Sequence, residues 1–392
     1  MIWLWEQIQV PVIAVKRNPN PGSKYFPIKY ISFMSLLRAL LYLSIWTLAV
    51  LKLSAQVDTN YIQRFPDKLV WSPFLSSMNN TILMKSYPHF AGDSTQSISY
   101  SPNLRGGYGV AFSYRIVDFS IGFRTKIDEE SEKKYGKSTK LGLNFRLWIS
   151  RKLLTEFNLL AVSGFSNLST TSYDTSKIGQ EYPYEHRPDM FITYIKLRGV
   201  YQFNPDRFSY RSSFSFSERQ KKSAAGFLLN SHMYLHTITG DSAFIPQAVR
   251  GMYGDLGNIS NLSVLGMGLA PGVGGTWTKG RWFLTGVLFL GLDLQRFAYS
   301  TPGNHDFLTE NKLATMADFR VSFGYNAPRF FCGFQSITDY NLLRPSAFKI
   351  NSSFNHVQFV MGWRLHSPKI LDKMYNKSVK TFIPKRYRHY MY

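Results

Sequence analysis

Val117-Asp118-Phe119-Ser120-Ile121-Gly122-Phe123-Arg124 alternates without a break, apolar at every odd position and polar or small at every even one. Successive side chains of an extended strand point to opposite faces. The octet therefore reads as a strand with one apolar and one polar face. Leu141, Leu143, Phe145, Leu147 and Ile149 repeat the pattern against Gly142, Asn144 and Arg146. Val357, Phe359, Met361, Trp363 and Leu365 do so against Gln358, Gly362 and Arg364, and Phe208, Tyr210, Phe214 and Phe216 against Ser209, Arg211, Ser213 and Ser215.

The pattern predicts twelve strands, at 105–114, 116–125, 139–150, 153–165, 190–204, 207–217, 225–238, 261–277, 282–297, 313–325, 329–340 and 355–365. Most are ten residues or longer, whereas soluble strands average about 5–6 and a tilted strand crossing a bilayer needs about 9–11. Trp282-Phe283-Leu284-Thr285-Gly286-Val287-Leu288-Phe289-Leu290-Gly291-Leu292 is uncharged throughout, about one crossing. Tight connections at Arg115, Arg151-Lys152, Asn204-Pro205-Asp206, Lys279-Gly280 and Asn326-Ala327-Pro328 carry turn residues. Long polar ones lie at 126–138, 166–189, 298–312 and 341–354. Outer-membrane barrels have short turns on one side and long loops on the other. In hydrocarbon every backbone polar group must be paired, which leaves helices or closed barrels. The expected fold is thus all-β: a transmembrane antiparallel barrel of about 12 strands, with 10–14 left open because the connection 239–258 is long where a short one is due.

Composition agrees. Of 392 residues, 44% are hydrophobic and only 18% charged, too apolar for a disordered chain. Aromatics reach 16%, which suits interfacial girdles. The lone Cys332 excludes an internal disulfide, and it shares the apolar face of Phe330 and Phe334. Residues 39–51 form a charge-free run after Arg38, followed by Leu53-Ser54-Ala55. This is the layout of a secretory signal and is short for a spanning helix. Met34 reads as the translation start, 1–33 as a mistranslated upstream segment, 34–55 as the signal and Gln56 as the first mature residue. The rest divides into an N-terminal segment or plug, 56–104, the barrel, 105–365, and a basic tail, 366–392, with seven Lys/Arg and one acid, Asp372.

Asp58-Thr59-Asn60-Tyr61-Ile62-Gln63-Arg64-Phe65-Pro66-Asp67-Lys68-Leu69 resembles the start of the mature chain in domain-of-unknown-function family 4421 of Bacteroides-type bacteria. Tyr100-Ser101-Pro102-Asn103, Tyr210-Arg211 and Ser217-Glu218-Arg219-Gln220-Lys221-Lys222-Ser223-Ala224 are similar to it also. The resemblance covers roughly 56–365. It implies a barrel of the bacterial outer membrane with no assigned activity, and carries over no catalytic residue. Gly362-Trp363-Arg364-Leu365 resembles the final strand of such barrels, with the tail following where the chain commonly ends.

The 46 Lys/Arg against 24 Asp/Glu give a net charge of +22. No nucleic-acid-binding motif accompanies it, so nucleic acid is not expected as a partner. Arg124, Arg146, Lys196, Arg198 and Arg211 fall on polar faces, with Asp118 and Asp293 the acids placed beside them. They predict a basic lumen that concentrates anions, and rim cations that meet lipopolysaccharide phosphates. His232 and His236 share that face but lie about 13 Å apart along the strand, too far for one metal. Ser231 and His232 are adjacent, hence on opposite faces, and cannot pair as nucleophile and base. Glu181, Glu185, His186 and Asp189 form a loop cluster that reads as solvated, with a cation site as the alternative. No catalytic, cofactor or metal residue is assigned. The expected protein is a porin-like pore, scaffold or envelope component. Its expected partners are outer-membrane lipids, lipopolysaccharide and the barrel assembly machinery. The alternatives are a lipid-modifying enzyme of the same membrane and a soluble periplasmic binding barrel.

Overall fold

The computed structural model describes residues 58–382 apart from 80, 88–94, 105, 303–307, 344 and 346–347. The start at Met34, the signal 34–55 and the end of the tail lie outside the described residues. Sixteen strands run in chain order: β1 (Ile62–Arg64), β2 (Lys68–Asn79), β3 (Ile82–Ser86), β4 (Ser97–Ser101), β5 (Gly107–Tyr114), β6 (Val117–Arg124), β7 (Thr139–Trp148), β8 (Leu153–Asn167), β9 (Glu185–Gln202), β10 (Glu218–Gln220), β11 (Ala224–Thr239), β12 (Asn261–Lys279), β13 (Trp282–Ser300), β14 (Leu308–Asn326), β15 (Phe330–Leu343) and β16 (Phe348–His366). Among the described residues three α-helices accompany them: α1 (Glu129–Tyr135) and α2 (Arg211–Phe214) in connections, and α3 (Lys369–Phe382) after the last strand.

Twelve strands close a ring. The order β2-β5-β6-β7-β8-β9-β11-β12-β13-β14-β15-β16 returns to its start through antiparallel pairing of β16 with β2, from His366↔Lys68 to Asn355↔Asn79. Neighbours are antiparallel throughout the ring. The side-chain period of two sorts residues between the faces. On β13, Trp282, Leu284, Leu288, Leu290, Leu292 and Leu294 point outward, while Thr285, Asp293 and Gln295 are buried inside. Phe283, Val287 and Phe289 also point inward, so the strand is apolar on both faces over its lower half.

The expected count was right, with one strand exchanged for another. Residues 207–217 are not a strand: they turn into the barrel and carry α2. Residues 68–79, expected within an N-terminal segment, form the first wall strand, so the barrel begins at Lys68 and not at 105. Pro73 has no N–H to give, and the β16 ladder is interrupted beside it, between Val360↔Phe74 and Trp363↔Trp71. With that exchange the connections alternate. The turn end has 115–116, 149–152, 203–223, 280–281 and 327–329; the loop end has 80–106, 125–138, 168–184, 240–260, 301–307 and 344–347. The connection after β11 is a loop-end one, so its length fits.

The loop end is narrower than the rest. β3 continues the ladder of β2 along β16, at Ser352↔Ile82. β4 then pairs directly with β8, at Tyr100↔Asn167, above the ends of β6 and β7. The Ser138 hydroxyl locks this seam: it accepts from the Asn103 N–H (2.7 Å) and donates to the Gly164 carbonyl (2.6 Å). Gly164 has φ +76°, and a Cβ there would lie 2.1 Å from the Lys137 carbonyl oxygen, so only glycine fits.

Candidate functional site

The lumen is closed from both ends. At the turn end, residues 203–223 fold inward between β9 and β11. Five serines lie among Phe208, Tyr210, Phe214 and Phe216, and their hydroxyls bond locally: Ser212 N–H to Ser209 Oγ at 3.1 Å, Ser212 Oγ to the Ser209 carbonyl at 2.7 Å. Such bonds compete with strand ladders, and the segment coils into α2. Its carbonyls then meet donors from the wall. The Ser213 oxygen accepts from Ser322 Oγ (2.9 Å) and Gln335 Nε2 (2.7 Å). Phe214 accepts from Arg146 Nη1 (2.9 Å), and Phe216 from Arg364 Nε (2.9 Å) and Nη2 (2.6 Å). Asn326 Nδ2 reaches the carbonyls of Ser212 (3.0 Å) and Glu218 (3.2 Å). Phe216 sits at φ +54° and stacks on Phe331 at 4.3 Å. β10 then pairs with β1, so the N-terminal segment braces the plug, Ile62↔Gln220 to Arg64↔Glu218.

At the loop end, residues 240–260 fold into the mouth. Phe244, Ile245, Val249, Tyr253 and Leu256 are buried among Met84, Ile98, Tyr100, Val264, Phe297 and Ile350 of the upper strands. Polar ties add to this packing: Arg187 Nη1 and Nη2 donate to the carbonyls of Ala243 (3.0 Å) and Ser242 (3.1 Å), the Tyr100 hydroxyl to the Phe244 carbonyl, and the Tyr253 hydroxyl to the carbonyls of Met84 (3.3 Å) and Gln96 (3.1 Å).

Between the two seals lies a buried charge network. Glu156 accepts from Arg146 Nε at 2.8 Å and lies 3.3 Å from Arg320 Nη2 and 3.5 Å from Arg198 Nη1. Arg198 Nη1 is 2.6 Å from Asp318, which also takes Arg320 Nε at 3.1 Å. Lys196 Nζ donates to Asp339 at 3.0 Å, and Arg320 Nη1 donates to the Tyr210 hydroxyl of the plug at 2.5 Å. Buried charges persist only when paired and hydrogen-bonded. Arg146, Lys196 and Arg198 are therefore partners of carboxylates, which corrects the expectation that these cations stand free in the lumen to concentrate anions. Arg211 is not on a wall strand. It lies on α2, with Nε donating to Ser217 Oγ at 2.9 Å and its guanidinium 4.9 Å from the Trp148 ring centre. Arg124 ends β6 and donates to the Ser138 carbonyl at the loop-end rim.

His232 points inward and Ser231 outward. His232 Nε2 is 2.6 Å from Asp293 Oδ1; the Tyr234 hydroxyl donates to Asp293 Oδ2 at 3.2 Å and accepts from Gln295 Nε2 at 3.1 Å. Gly268 makes room for this cluster, since a Cβ there would lie 2.0 Å from Asp293 Oδ1. His236 packs edge-on against Tyr194 at 5.6 Å. His232 and Asp293 are wholly enclosed, so the pair ties β11 to β13 over Gly268 of the intervening β12 and offers no approach to a substrate. Of the loop cluster, Asp189 grips Arg187, Glu185 accepts from the Tyr173 hydroxyl, and Glu181 from the Tyr182 hydroxyl. Among the described residues no three His, Cys, Asp or Glu come together to hold a metal ion. A cavity of about 170 Å³ remains beside the network, lined by Ser120, Lys140, Asn144, Asn158, His356 and Gln358 among others.

Glu156, Asp318, Asp339 and Arg320 were missed. Each sits in a segment already assigned as a strand, and parity within 153–165, 313–325 and 329–340 would have placed all four on the polar face.

A family model described as a domain of unknown function, DUF4421, matches residues 56–365. The chain belongs to that family. Comparison with curated proteins gives no match. Among solved structures, the DUF4421 chain is similar to the outer-membrane protease OmpT of Escherichia coli, with 8% identity, 77% of this chain and 98% of that one covered, and a TM-score of 0.36. It is similar to the toluene transporter TodX of P. putida (10%, 77% and 91%, 0.26) and to the translocator domain of the autotransporter NalP of Neisseria meningitidis (10%, 86% and 99%, 0.26). The architecture of the DUF4421 barrel stands on its own strand pairings. No helix of the described residues is long and apolar enough to cross a membrane.

Proposed function

We propose that this chain is a β-barrel of the Gram-negative outer membrane, with its turn end in the periplasm, and that it serves as a structural or assembly component of the envelope, neither an open pore nor a hydrolase. One observation carries the reading: the lumen is stoppered at both ends by the chain itself, and between the stoppers four basic side chains are paired with three carboxylates. The outward band of Leu, Phe and Trp on every long strand supports the membrane placement. Outer-membrane lipids and the barrel assembly machinery are the partners this placement entails.

Planar-bilayer recording tests it. The wild-type protein should be silent. Replacing 242–258 or 205–221 with a short Gly/Ser turn should leave it silent, because either seal suffices, and replacing both should open a small conductance. A steady wild-type conductance, or release from membranes by osmotic shock alone, would refute the proposal.

A further inference from the structure

The two ends of the barrel differ in charge. The turn-end segments 58–68, 115–116, 149–152, 203–223, 279–281, 326–329 and 366–382 hold seventeen Lys or Arg and five Asp or Glu. The loop-end connections hold nine and ten. The excess positive charge of this chain is therefore concentrated at one end, the end opposite to the leaflet that carries lipopolysaccharide.

Helix α3 adds an amphipathic surface to that end. It begins three residues after β16, whose outward Trp363 and Leu365 belong to the apolar band. Its inner side is docked: Val379 is buried, Asp372 takes hydrogen bonds from the Tyr114 hydroxyl and from Ser367 Oγ (3.0 Å), and Tyr375 meets Tyr114 edge-on at 5.7 Å. Its outer side shows Ile370 and Met374, 69% and 62% exposed, flanked by exposed Lys369, Lys373 and Lys377. Large apolar side chains bordered by lysines are the pattern of a helix lying in a membrane interface, with the apolar groups at the acyl boundary and the ammonium groups on phosphates. An acidic polymer or protein would be served by the lysines alone and leaves Ile370 and Met374 unexplained.

We infer that α3 and the basic turn-end rim form a binding surface for anionic phospholipid headgroups of the periplasmic leaflet, with Ile370 and Met374 entering that leaflet. The inference rests on the membrane placement proposed above.

The test uses the full mature chain, with Met374→Cys in a Cys332→Ser background carrying a polarity-sensitive dye. It is reconstituted in phosphatidylcholine vesicles with or without phosphatidylglycerol. The dye should shift to the blue in vesicles, more so with phosphatidylglycerol, and Lys369→Gln/Lys373→Gln/Lys377→Gln should abolish that lipid preference. Heat-modifiable migration confirms that each variant retains its barrel. Brominated lipids, read through the exposed Trp277 and Trp282 beside the turn at 280–281, separate the two possible failures. Quenched tryptophans with a water-like dye would overturn this inference alone; unquenched tryptophans would overturn it together with the membrane placement. A water-like dye with salt-sensitive binding to isolated cell-wall polymer would overturn it in favour of an acidic polymer.

Discussion

At the loop end the lumen is closed by Phe244, Ile245, Val249, Tyr253 and Leu256 packed against inward-facing apolar residues; at the turn end it is closed by a serine-rich coil, the carbonyls of which are held by Arg146, Arg364, Asn326, Gln335 and Ser322. The first closure is set by volume, and its strength follows from apolar area removed from water. The second is set by direction, since each donor must meet its acceptor and an unmet one is costly. An apolar cap tolerates exchange of one aliphatic residue for another of similar size. A polar plug tolerates little, because Ser213 alone draws on β14 and β15 at once.

The contrast can be broken at the cap. Phe244→Ala should cost about 3–5 kcal/mol, as for other buried aromatic truncations, read from denaturant unfolding in micelles, while bilayer recordings stay silent. A cost below about 1 kcal/mol would mean that the cap is not part of the core. The wall between the seals gives the next effect. Phe119→Arg sets a charge toward lipid and should cost about 2–4 kcal/mol near the midplane, whereas Ser120→Arg points into the cavity and should be far better tolerated. Equal loss of folding yield in lipid from both would show the faces to be misassigned.

At the plug, Asn326→Leu removes the donor to the Ser212 and Glu218 carbonyls and should cost about 1–3 kcal/mol, with a stable barrel retained. An unchanged unfolding midpoint would show that the plug is held by its phenylalanines instead. The smallest effect is expected at the docked side of α3. Hydrogen bonds from the Tyr114 hydroxyl and then Ser367 hold the Asp372 carboxyl below its usual range. A carboxyl depressed in the folded state adds stability above its unfolded pKa and loses it as pH falls. Docking of α3 should thus be constant from neutral pH down to about 4 and weaken below it, measured by proteolysis of the tail. Loosening that began near pH 6 would implicate another group.

Period two made the wall legible: Phe119 outward, Asp118 inward, His232 inward and Ser231 outward all follow from parity alone. It failed where an alternating string had another use. Phe208, Tyr210, Phe214 and Phe216 alternate as a strand would, yet all four are buried in the plug, and the density of serines among them was the neglected sign. It also failed on β2, read as part of an N-terminal segment, where Pro73 interrupts the ladder and Val70 and Phe74 face inward to meet the plug and its neighbours. The charge network could not be read as pairs, because pairing depends on register. Glu156 lies opposite both Arg146 and Arg198 only once β7, β8 and β9 are aligned, and from across the lumen Arg320 reaches Glu156 while Asp318 reaches Arg198.

The ring is closed by the pairing of its first strand with its last, Lys68 beside His366. That contact spans nearly the whole wall sequence, and long-range closure is slow because entropy is lost before contacts reward it. The plug lies midway along the chain, yet Arg364, which grips its Phe216 carbonyl, is among the last wall residues to be synthesised. The socket for the plug is therefore incomplete until the final strand arrives. Closure of the wall and seating of the plug should then be one cooperative step, and before it the chain must be kept from aggregating with both strand edges bare.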